Sequence, residues 1–157
     1  LEDLAGANIA TLSPSSAAGY IYPVAEMNEA SIDLSDITFT TVNDIPSQLT
    51  AVLNGQQDAA FVFEGARYVF QDAVGDYDLV EDLRVLYLTE GDIPNDAIAV
   101  QPDMDQELKD QIAEAFRQMP EDETGQEVMG LWGHQDYTEP DEEAYDTLNQ
   151  YTELAAD

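Results

Sequence analysis

Residues 12–23 read LSPSSAAGYIYP, a run of small and hydroxyl-bearing residues with one glycine and two tyrosines. Before it lies ANIATLS (7–13), a short apolar segment bounded by Gly6 and Pro14 that reads as a buried strand. After the serines, AAGYIYPVAEMNEA (17–30) has the small and apolar residues of a helix, with Pro23 as a kink. Strand, serine turn and helix in that order open a βαβ unit, and the following segments extend it. DITFTTV (36–42) is β-branched and aromatic, hence a strand. In IPSQLTAVLNG (45–55), Leu49, Val52 and Leu53 recur at helical spacing before an Asn54-Gly55 stop. QDAAFVF (57–63) is apolar enough for a strand covered on both faces, and EGARYVFQDAV (64–74) follows as a helix.

LRVLYLTE (83–90) and DAIAV (96–100) predict two more strands across the turn GDIPN. Beyond Pro102 the pattern is helical. DMDQELKDQIAEAFRQM (103–119) sets Leu108, Ile112, Ala115, Phe116 and Met119 on one face, and TGQEVMGLW (124–132) and PDEEAYDTLNQYTELA (140–155) supply two further helices. GHQDYTEPDEE (133–143) reads as an exposed connection. Alternation of strand and helix through the first two-thirds argues for βαβ units and a mostly parallel sheet.

The charge is extreme: 34 Asp and Glu against 4 Lys and Arg give a formal net charge of −30 over 157 residues. The acids are scattered along the chain, so the charge belongs to the surface and not to a tail. Self-repulsion of that size opposes compaction, but at molar salt the Debye length shrinks to about 3 Å and the repulsion largely vanishes. The composition reads as a halophile's, since an acidic protein of ordinary surroundings normally keeps more lysine. Nucleic acid is excluded as a partner, because Arg67, Arg84, Lys109 and Arg117 are too few and too dispersed to track phosphates, and an anionic membrane surface is disfavoured for the same reason. Without cysteine there is no disulfide, thiolate metal site or thiol nucleophile. No apolar run approaches a membrane span. The first residue is Leu1, as in a processed or trimmed product.

Catalytic signatures are missing: there is no G-x-S-x-G, P-loop or G-x-G-x-x-G. The single histidine, His134, follows Gly133 in the predicted loop and reads as a surface residue. DMDQELKD lacks the glycine of a calcium loop and reads as an acidic first helical turn. Tyr68, Phe70 and Phe116 fall on helix faces and are expected in the core. No metal and no cofactor are expected. The serine turn admits two readings. A helix N-terminus offers unpaired N–H groups and partial positive charge to an anion, with hydroxyls and a glycine letting it approach; equally, Ser15 or Ser16 caps the helix.

Four stretches in order, LEDLAGANIATLSPSSAAGYIYP (1–23), LTAVLNGQQDAAFVF (49–63), LRVLYLTEGDIPNDAIAV (83–100) and QELKDQIAEAF (106–116), resemble the phosphate/phosphite/phosphonate substrate-binding proteins of ABC importers. The resemblance implies an α/β fold of the type II periplasmic-binding-protein kind, a βαβ lobe with a mixed sheet plus C-terminal helices. Residues 1–100 would form the ligand-binding lobe with its crossover strands, and residues 101–157 a helical segment packed on the lobes. Family members are longer, so most of a first lobe is expected to be missing from a truncated chain. It also implies a non-enzymatic, extracytoplasmic receptor that holds a small oxyanion such as phosphonate, phosphite or phosphate in an interlobe cleft and delivers it to a membrane permease.

In the family the turn runs approximately Asp-Pro-x-Ser-Thr-Ser-Gly; here Ser13, Pro14, Ser15, Ser16, Ala17, Ala18 and Gly19 align with it, and only Ser16 keeps a motif hydroxyl. The resemblance thus implies a ligand set of Ser13, Ser15, Ser16, the backbone of Ala17 and Ala18, Gly19 permitting close approach, and Tyr20 or Tyr22 on the wall. Glu64 and Asp96 match acidic positions that in some members meet a ligand amine. Many relatives carry a Ser-His pair where this chain has Asp44-Ile45. The altered turn also suits a sulfonate, a carboxylate or a thiamine-precursor-like solute, and an α/β enzyme using Glu64 and Asp96 is the reading from another class. A homodimer through an exposed lobe face is compatible with the sequence.

Overall fold

The computed structural model describes residues 1–156. Three strands form one sheet in the order β2-β1-β3: β1 (Asn8–Thr11), β2 (Thr38–Thr41) and β3 (Ala59–Ala60). Both pairings are parallel, with Ile9 opposite Phe39 and Ala59, and Ala10 opposite Thr40 and Ala60. Between them run α1 (Tyr22–Glu29) and α2 (Ile45–Leu53). Val24 and Met27 of α1 pack with Ile9, Ile37, Ala59 and Phe61. Leu49 of α2 joins Val62, Val74 and Leu79; Val62 follows Phe61 and so points to the opposite face. The sheet is thereby sandwiched between α1 and α2. Ile9, Met27 and Leu79 are wholly buried, each contributing about 1.5–3 kcal/mol of burial free energy.

The predicted helix over 17–30 forms, but its first turn is wide: Ala17–Ile21 is π-helical and α1 proper starts at Tyr22. Pro23 is the cause. It has no N–H to give the Gly19 carbonyl and its ring crowds that oxygen, so the turn closes instead through Ile21 N–H to Ser16 O at 2.9 Å, while the Gly19 carbonyl accepts from Leu12 N–H at 3.2 Å. The α2 stop is as predicted, with Asn54 as the cap and Gly55 at φ 68°.

Two predicted strands do not form. Residues 83–90 and 96–100 have strand-like sequence but no ladder, and the sheet is parallel instead of mixed. Alternating apolar residues make a strand only against a partner edge; here Val85, Leu86, Tyr87 and Leu88 are 41–56% exposed, with neither of the sheet's edges alongside. The helix expected over 64–74 is interrupted: α3 (Ala66–Val69) follows Gly65 at φ 83°, and a 3-10 turn covers Gln71–Ala73. Tyr68 therefore lies outside the core at 67% exposure, whereas Phe70 and Phe116 are half-buried. A further short helix, α4 (Leu79–Asp82), is capped by Asp78, which accepts from the Val80 and Glu81 amides.

The described residues form two compact units, 1–94 with 143–156, and Asn95–Glu142. The first holds the sheet and α7 (Glu142–Leu154), apart from that helix's first residue. The second holds α5 (Gln106–Gln118) and α6 (Glu123–Gly130), each begun by an aspartate cap, Asp105 and Asp122. Within it Arg117 pairs with Glu139 at 2.7 Å and Phe116 meets the edge of Tyr137 with ring centroids 5.1 Å apart.

Candidate functional site

At the carboxyl ends of β1 and β2, the end of an open parallel sheet where ligands bind, a hollow of about 340 Å3 is lined by Leu12, Ser13, Ser15, Ser16, Thr41, Val42 and Asn43. Its β1 side is the serine turn. Ser16 is the N-cap, its Oγ accepting from Gly19 N–H at 3.2 Å. A hydroxyl that accepts in this way still has its own O–H to donate, so capping and anion binding are compatible at Ser16. Ser13 Oγ and Ser15 Oγ lie 2.9 Å apart; whichever donates to the other, the acceptor's proton is left for a third group. The N–H groups of Ala17 and Ala18, first in the helical turn, have no partner among the described residues. Residues 4–25 carry no carboxylate, a long interruption in so acidic a chain. The hydroxyls, the free amides and the positive end of a helix thus belong to one stretch of chain without carboxylates, while Asp44 follows Asn43 on the β2 side of the hollow.

The other helix N-terminus is already occupied. Asp44 caps α2, its carboxylate accepting Ser47 N–H at 2.8 Å and Ser47 Oγ–H at 3.0 Å. Thr41 and Asn43, not singled out in the sequence, also line the hollow; their signal was their place at and just beyond the end of β2, the strand that pairs with β1.

The remaining sequence-predicted residues lie as follows. Gly19 is buried, and a Cβ there would fall 2.7 Å from Leu12 Cβ, so its small size serves packing against Leu12. The Tyr20 ring meets Phe39 edge-on at 5.8 Å, at the rim of the core. Tyr22 is wholly buried, stacked on Tyr151 at 4.2 Å, with its hydroxyl donating to the Asp92 carbonyl at 3.0 Å. None of the three lines the hollow, and neither does Ala17 or Ala18, which follow the lining residue Ser16 in the chain. Glu64 is exposed after β3 in the first unit, and Asp96 belongs to the second, 95% exposed with its carboxylate 3.9 Å from His134. Among the described residues no three His, Asp or Glu side chains form a cluster able to hold a metal.

Sequence reasoning also passed over Glu26, the buried carboxylate of α1. Its Oε2 accepts from Tyr87 Oη at 2.8 Å, and its Oε1 from Glu90 N–H at 2.7 Å, Gly91 N–H at 3.4 Å and Tyr151 Oη at 3.1 Å. The hydrogen bond to Glu26 pushes Tyr87 up to about 12, and burial followed by the Glu26 bond pushes Tyr151 up to about 12. Both hydroxyls ionise in the unfolded chain near 10. Their contribution to stability is therefore complete below pH 10 and lost as the pH climbs through 12. Chemical denaturation in molar KCl is expected to give constant stability up to about pH 10 followed by a steep fall, and Tyr87→Phe with Tyr151→Phe is expected to flatten that fall.

The family model described as ABC transporter, phosphonate, periplasmic substrate-binding protein matches residues 1–145. No curated protein matches the chain. No helix among the described residues is long and apolar enough to cross a membrane.

Proposed function

We propose that this chain, which belongs to the family of phosphonate ABC-transporter periplasmic substrate-binding proteins, binds a small oxyanion of the phosphonate, phosphite or phosphate type in the hollow at the head of α1. The family is the solute-binding, non-enzymatic part of an importer; it works outside the cytoplasm with membrane permease components. The observation that carries the finer reading is the pair of unpartnered Ala17 and Ala18 amides beside the Ser16 cap. They supply N–H donors at the positive end of a helix, and the Ser13, Ser15 and Ser16 hydroxyls surround the same turn. Recognition without lysine or arginine leans on short hydrogen bonds, which survive salt that screens the distant field. A facing lobe, as the family's two-lobed arrangement implies, then encloses the solute and exposes it to the permease only on opening.

Calorimetric titration in molar KCl tests this with methylphosphonate, phosphite, phosphate, a sulfonate, a carboxylate and an amine-bearing solute. Ser15 is exposed and bonds only within the turn, so Ser15→Ala is expected to leave folding unchanged and to weaken phosphorus-oxyanion binding about tenfold, the worth of one hydrogen bond to a charged oxygen. Saturable binding of the sulfonate or carboxylate alone, or an unchanged affinity in Ser15→Ala, overturns it.

The net charge of −30 supports a salt-adapted protein. The melting temperature is expected to rise from dilute buffer to molar KCl as screening removes the repulsion; a flat or falling profile, measured by circular dichroism, contradicts that adaptation.

A further inference from the structure

The chain leaves its first compact unit after Pro94 and returns to it at Glu143. Within that unit the outgoing root is the segment 87–92, and the returning root is α7. The outgoing root has no sheet ladder to hold it. It is held by side chains of α1. Glu26 takes hydrogen bonds from Tyr87 Oη, Glu90 N–H and Gly91 N–H, and Tyr22, one turn earlier on the same face, donates to the Asp92 carbonyl. The same two residues hold the returning root, through Tyr151 Oη on Glu26 and the Tyr22–Tyr151 stack. Asn28 adds a bond from its amide to the Leu154 carbonyl at 2.8 Å. The roots also touch each other: a Cβ on Gly91 would sit 2.7 Å from Cζ and Oη of Tyr151 and would push that ring aside.

Among the described residues no cation joins the cluster; the buried carboxylate accepts from N–H and O–H donors. An apolar residue would fill this position without the cost of desolvating a charge. The donors, which come from both roots, supply direction, which apolar packing does not. We propose that Glu26 is a positioning residue that fastens both passages of the chain to α1, the helix whose first turn forms the candidate site, so that the two roots are set as one body. The role concerns the roots themselves and stands whether or not the hollow binds an oxyanion.

Hydrogen–deuterium exchange of the full chain in molar KCl tests it. In Glu26→Gln, amides of residues 87–92 and 143–154 are expected to exchange at least tenfold faster, with β1 and β2 as in the wild type. Tyr151→Phe, which keeps the stack and loses one bond, is expected to speed residues 143–154 alone. Unchanged exchange in both roots, or an equal rise in β1 and β2, overturns the proposal and makes Glu26 an ordinary core residue. Should Glu26→Gln fail to fold, Tyr87→Phe takes its place: faster exchange confined to residues 87–92 supports the role, and unaltered exchange there refutes it.

Discussion

Glu26→Leu is expected to lower the free energy of unfolding by about 3–5 kcal/mol. Leucine is close to glutamate in size, so lost packing is not the main cause. The cost comes from four donors, the Tyr87 and Tyr151 hydroxyls and the Glu90 and Gly91 amides, that lose their common acceptor. A buried donor without a partner costs about 1–3 kcal/mol. Tyr87, at 41% exposure, and the exposed Glu90 recover part of that from water, whereas Tyr151 and Gly91 are less exposed. In a chain of this size each kcal/mol lowers the melting temperature by about 2–4 °C, so a drop of roughly 10 °C is expected. Urea denaturation followed by circular dichroism in molar KCl measures it. A loss below about 1 kcal/mol would mean that water reaches all four donors and that the carboxylate does not hold them.

Gly19→Ala is the second large effect. Its added Cβ would stand 2.7 Å from Leu12 Cβ and 2.9 Å from Cγ and Cδ1. The crowding meets the base of the Leu12 side chain, where a rotamer change gives little relief, so an overpacking cost of about 1–3 kcal/mol is expected. The Leu12 backbone cannot simply retreat, because its N–H is tied to the Gly19 carbonyl at 3.2 Å. Oxyanion affinity should fall together with stability. Leu12→Ala in the Gly19→Ala background is expected to recover part of the stability, because the two sites are in direct contact and their effects do not add. If Gly19→Ala keeps full stability, Gly19 does not pack as described.

Much of the first unit was legible in the sequence. ANIATLS, DITFTTV and QDAAFVF carry the β-branched and apolar residues that a small parallel sheet buries, and the helices between them follow from spacing and stops. The sequence is equally strand-like at 83–90 and 96–100, but pairing is a tertiary property, and without an edge beside them these residues stay irregular and exposed. The wide first turn of the α1 region was half legible: Pro23 announced a disturbance, and the Leu12–Gly19 bond decided its form.

At the serine turn, the helix start and its Ser16 cap were readable because hydroxyls and a glycine before an apolar run signal a helix N-terminus. The purpose of Gly19 was not, since a glycine making room for a ligand and one making room for Leu12 look alike in sequence. Glu26 was hidden by numbers: among 34 acidic residues nothing local separates a buried acceptor from a solvated charge. Thr41 and Asn43 entered only when the register placed the end of β2 beside the end of β1.

The most direct measurement of the oxyanion account is a two-dimensional amide NMR titration of the 15N-labelled chain with methylphosphonate in molar KCl. Saturable downfield shifts of the Ala17 and Ala18 amide protons, with Ser16 following and the residues of α5 and α6 unmoved, are the predicted result. Saturable binding that leaves Ala17 and Ala18 where they were, or no saturable shift anywhere in the spectrum, would contradict it.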